Sequence, residues 1–211
     1  MQWGGHFLSS IWLDEKDLGL LSVAIRIGIL VSFVFLAFSS LLAPKIVSLI
    51  ENGDSKKIYE LSLLNISISS LSGLFVCMTF VIFGDFFLGL FGNEYKDAYM
   101  ILVLLSISNL IRVLYGPVDT IIMMAGKVKV MRYNLYISAL VSLISSFLLI
   151  PKYGPIGAAL ALLLSNSILC FLNAKYVKRT FKIEYFSIKS FVDQIKFIYS
   201  FALRKKRILR V

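Results

Sequence analysis

The chain has 211 residues, 58% of them hydrophobic and 16% charged, with a formal net charge of +10. A soluble globular domain is roughly 45–50% apolar and about 25% charged, so this composition excludes one. Two cysteines and one histidine leave no material for a disulfide framework or a histidine-based metal site.

The first stretch, Gln2–Leu13, is apolar and aromatic but too short to cross a bilayer core, which takes ~20 helical residues. It has neither the basic start nor the small-residue cleavage site of a signal peptide. Residues 1–17 therefore read as the outer half of a transmembrane helix whose other half lies upstream, with Asp14–Asp17 as its external turn. Five apolar blocks follow in residues 18–176: Leu18–Ala43, Leu61–Gly84, Ala98–Gly126, Tyr133–Ile150 and Tyr153–Ala174. Each is long enough to span. The expected fold is an all-α integral membrane protein, a bundle of five full transmembrane helices plus the incomplete N-terminal one. Cys77 and Cys170 fall inside these blocks and read as small buried residues packed between helices.

Residues 177–211 close the chain with a basic tail; from Lys175 onward there are eleven basic residues and two acids. Ile188, Phe191, Val192, Ile195 and Ile198 recur at helical spacing, with Lys189, Asp193 and Lys196 on the other side. Such an amphipathic basic helix suits an anionic membrane surface, with docking on a partner as the competing reading. The basicity is thus localised in a tail that lacks the folded, groove-reading surface a nucleic-acid partner requires.

The connections alternate in charge. Lys45, Lys56 and Lys57 follow the first block; Lys96 stands against three acids in Asp85–Asp97; Lys127, Lys129 and Arg132 follow the third block; Lys152 is alone in the next turn. By the positive-inside rule the first span of this multi-pass chain runs outside to inside and the C-terminus is cytoplasmic.

Charges inside the blocks are costly in lipid and face a protein interior or an aqueous cavity. Arg26 lies eight residues into the first block, within snorkelling reach of the headgroups. Arg112 is deeper. Asn109, Arg112, Gly116 and Asp119 are three, four and three residues apart and share one helix face. Arg112 and Asp119 are ~10 Å apart along a straight helix. A bend at Gly116-Pro117 would bring them together. The face then either holds two helices through an Arg–Asp pair or lines a cavity. Asn65, Asn134, Asn166 and Asn173 read as interhelical hydrogen-bonding residues. Paired carboxylates, an activated nucleophile and a phosphate loop are all missing from the sequence, so neither enzymatic activity nor a cofactor is expected.

Several motifs carry a resemblance: Ala24-x-Arg26, Ala43-Pro44-Lys45, Leu90-Phe91-Gly92 with Tyr95, Gly116-Pro117, Met123-x3-Lys127 and Pro151-x-Tyr153-Gly154-x2-Gly157-Ala158-Ala159. In this order they resemble the C-terminal half of polysaccharide flippases of the multidrug/oligosaccharidyl-lipid/polysaccharide exporter superfamily. The resemblance implies one lobe of a two-lobed flippase that carries undecaprenyl-pyrophosphate-linked oligosaccharide to the outer leaflet. It implies a cationic cavity, for which Arg26 matches the family-like position and Arg112 is the second candidate. It also implies a separate N-terminal lobe, missing here or separately encoded, as partner. The alternatives are an ion-coupled drug antiporter of the same superfamily, with Asp119 as coupling carboxylate, and a non-transporting fragment or assembly subunit.

Overall fold

The structure, a computed structural model, describes residues 13–181. The apolar stretch before Leu13 and the amphipathic tail beyond Phe181 lie outside the described residues. Among the described residues every regular element is helical. These are α1 (Glu15–Gly28), α2 (Phe33–Glu51), α3 (Ser55–Gly89), α4 (Tyr99–Tyr115), α5 (Val118–Met124) and α6 (Val128–Phe181), with 3-10 turns at Ile29–Ser32 and Asn93–Ala98. Four stretches among the described residues are long and apolar enough to cross a membrane: Glu15–Glu51, Ser55–Gly89, Asn93–Tyr115 and Val128–Phe181.

α1 starts at Glu15 and carries Glu15 and Asp17 in its first turn. Carboxylates there face the positive end of the helix dipole, which favours helix over loop. At the other end α6 runs to Phe181, the last described residue, with Lys178 and Arg179 in its last turn. Cations suit that end of the dipole.

The 54 residues of α6 would be ~80 Å long if straight, more than twice a bilayer core. The helix instead folds back at Gly154 (φ 56°, ψ −136°), between Pro151 and Pro155. Asn134 Nδ2 donates to Asn173 Oδ1 at 2.7 Å, and the Ser138 hydroxyl donates to the Ser165 carbonyl at 2.8 Å, so the two halves run antiparallel. α3 kinks at Phe83 (φ −117°, ψ 18°), and the Tyr99 hydroxyl donates to the nearby Val81 carbonyl at 2.7 Å. A kink disturbs the local backbone ladder, and this side chain supplies a donor beside it.

α4 is central, packing on α1, α3 and α6. Two separate apolar clusters hold the bundle. One gathers Leu21, Ala24, Leu88, Leu102 and Ala159; the other gathers Ile46, Ile58, Ile66, Ile121 and Val177. Between them, along four helical segments of the bundle, lies a polar zone. It falls between Val31 and Ile46, between Ile66 and Cys77, between Leu105 and Val118, and between Leu162 and Val177. Ser39, Ser69, Ser106, Ser108, Ser165 and Asn173 are buried there.

Candidate functional site

The polar zone opens into a cavity of about 330 Å³. Its polar lining is Ser32, Asn109, Arg112, Asp119 and Asn166, with Cys170 beside them and Ile29, Leu36, Met131 and Leu169 among its apolar walls. A volume near the lower end of ~300–1,000 Å³ suits a headgroup rather than a whole large ligand.

The break in α4 builds the charged part. Gly116 ends α4 at φ 74°, ψ −166°, a region essentially restricted to glycine. A Cβ at Gly116 would also stand 2.5 Å from the Ile66 side chain. Pro117 then stands at the N-cap of α5, with Asp119 in the first turn of that helix. The helix is interrupted rather than merely bent, and this re-aims Asp119. Arg112 Nη2 and Asp119 Oδ2 are 3.6 Å apart, with the two side chains 42% and 22% exposed. That separation is an ion pair but longer than a hydrogen bond.

Asp119 is held more closely from its other oxygen, which accepts from Asn173 Nδ2 at 2.8 Å. Asn109 donates to the Leu105 carbonyl at 2.9 Å and accepts from the Ser32 hydroxyl at 3.2 Å. Asn166 donates to Ser108 Oγ at 3.0 Å. These bonds tie the α1–α2 junction, α4 and the second half of α6 around the cavity. Away from it, Asn65 donates to Ser39 and accepts from Ser69, linking α2 to α3.

Asn109, Arg112 and Asp119, expected on one face, are thus brought together, and Gly116 and Pro117 lie at the break between them. Arg26 is not among the cavity's lining residues; it is exposed, one turn before Ile29, which does line the cavity. The sequence reading did not place Ser32, Asn166, Cys170 or Asn173 at this site. Asn166, Cys170 and Asn173 are four and three residues apart, a one-face spacing that was available. Both cysteines are free and buried. Among the described residues no group of three or more His, Cys, Asp or Glu side chains is placed to hold a metal ion.

Length, apolarity and a partly open cavity with a charged pair in its lining define a helical bundle of membrane-protein character. No protein-family model matches the chain, and no solved structure matches it. It is similar to the capsular polysaccharide biosynthesis protein CapF of Staphylococcus aureus, 38% identical over 116 residues. The matched segment is 52% of this chain and 29% of that relative.

Proposed function

We propose that the chain acts in polysaccharide biosynthesis as the C-terminal lobe of a membrane flippase for lipid-linked oligosaccharide. The observation that carries this reading is Arg112, a half-exposed guanidinium in an apolar bundle, facing a headgroup-sized cavity. A planar guanidinium holds phosphate oxygens bidentately, which fits an undecaprenyl pyrophosphate headgroup. The resemblance of the sequence motifs and the similarity to a capsular polysaccharide biosynthesis protein point to the same pathway. Arg26, which matches the family-like position, is exposed one helical turn before the cavity-lining Ile29. In this reading the protein makes and breaks no bonds.

The topology that goes with it has five crossings, counting each half of α6 as one. The Lys56–Lys57, Lys127–Arg132 and C-terminal basic segments then lie in the cytoplasm of a bacterium. The cavity face is completed by an N-terminal lobe, and the basic tail rests on anionic lipid. The test is Arg112→Ala in the assembled transporter: surface polysaccharide falls at least tenfold, about 1.4 kcal/mol of lost binding, with the protein still in the membrane. Unchanged surface polysaccharide overturns the assignment. The antiporter alternative rests on Asp119, and ion-driven drug efflux abolished by Asp119→Asn would favour it instead.

A further inference from the structure

We infer that Asn173, backed by Asn134, is a positioning residue that tethers Asp119 and so keeps the Arg112 guanidinium available to an anionic headgroup. The inference rests on the pyrophosphate reading of the cavity and names the device that tunes it. Two adjacent opposite charges in an apolar bundle attract more strongly than in bulk water and close on each other unless something holds them apart. A fully closed Arg–Asp pair commits one edge of the guanidinium, two of its five N–H donors, to the carboxylate and neutralises its charge, so a ligand loses that edge.

Here the pair is not closed. Arg112 and Asp119 stop at 3.6 Å, while Asp119 sits 2.8 Å from Asn173. Asn173 is fully buried, and its own bonds fix its orientation. A carboxylate only accepts, so Asn173 turns its amide nitrogen toward Asp119 and its oxygen toward Asn134. Asn134 donates to that oxygen at 2.7 Å, and the Asn173 nitrogen also reaches Met131 Sδ at 3.4 Å. Every polar atom of the Asn173 side chain is therefore engaged, and the tether is anchored on both halves of α6. Asp119 is loaded from the α6 side, and Arg112 lines the cavity with its side chain partly exposed.

Removing the tether frees Asp119 to close on Arg112 as an internal competitor of the ligand. The full chain, in the same assembly in which Arg112→Ala is tested, is placed in lipid nanodiscs and titrated with farnesyl pyrophosphate, with inorganic pyrophosphate and farnesol in parallel. The expected result is that Asn173→Ala weakens farnesyl pyrophosphate binding about tenfold, or about 1.4 kcal/mol. The double variant Asn173→Ala/Asp119→Asn recovers the affinity of Asp119→Asn alone, because a neutral amide does not compete for the arginine. A purely structural asparagine would show no such recovery.

Unchanged affinity in Asn173→Ala, or a loss that Asp119→Asn does not recover, overturns the inference while leaving the pyrophosphate reading in place. No binding of either pyrophosphate by the unaltered chain overturns that reading and the inference with it. The same pattern with inorganic pyrophosphate as strong as farnesyl pyrophosphate supports the tether with a free anion as ligand; binding of farnesol alone counts against both. Where Asn173→Ala does not fold, Asn134→Ala removes only the anchor; a smaller loss recovered by Asp119→Asn supports the tether, and no loss overturns it.

Discussion

Asp54 closes the start of α3 with both carboxylate oxygens: one accepts from the Lys57 backbone at 3.1 Å, the other meets the Lys57 ammonium at 2.8 Å. The Lys57 side-chain bond, then its backbone bond, holds the Asp54 carboxyl below its ordinary range, and the same contact raises the Lys57 ammonium. A carboxylate lowered on folding stabilises above its unfolded pKa and loses that contribution as pH falls through the folded value. The raised lysine contributes at neutral pH and loses its share only as pH rises past its own range. Asp54→Ala should therefore lower the unfolding temperature at neutral pH, and the gap to the unaltered protein should shrink below about pH 4. A gap that widens in acid would contradict the cap. At this scale the charged face was legible, because Asn109, Arg112 and Asp119 announce themselves by spacing. Asn173 was not, because a lone asparagine in an apolar block looks the same whether it braces a helix or a carboxylate.

Helix interruptions decide where those residues meet. Gly116 is held where only glycine is relaxed and where Ile66 leaves no room for a methyl. Gly116→Ala should cost about 1–3 kcal/mol of stability from backbone strain. Ile66→Ala itself costs stability by leaving a cavity, but in that background the collision is gone and the backbone strain remains, so the cost of Gly116→Ala should be only partly recovered in a denaturant or thermal unfolding series. Full recovery would show that the glycine serves space alone. The Gly-Pro pair made this break readable in the sequence, and Pro151 with Pro155 did the same for the fold-back of α6. The 3-10 turn at Ile29–Ser32 was not readable. Its residues, ILVS, carry no breaker, and the Ser32–Asn109 bond across the bundle accompanies the departure from α-helix.

For the molecule as a whole, apolar block length marked the stretches long and apolar enough to cross a membrane, two of the five blocks falling within α6, and connection charge proposed their direction. That direction is open to a labelling test on exposed lysines. In a cysteine-free background, Lys129→Cys and Lys57→Cys should resist a membrane-impermeant maleimide in intact cells, while Lys96→Cys should react. The opposite pattern would invert the topology, and equal labelling would break the five-crossing count. What the sequence did not disclose was the separation of the apolar core into two clusters, since hydropathy averages over the serines and asparagines between them.

The fold-back of α6 has a mechanical consequence. Asn134–Asn173 and Ser138–Ser165 act as rungs between its two halves, and Gly154 is the only turn joining them. A load applied at the C-terminal end shears those rungs together rather than peeling one half away. Residues 128–181 should leave the bilayer as a single extraction event in single-molecule pulling, taking with them the Asn173 contact that holds Asp119.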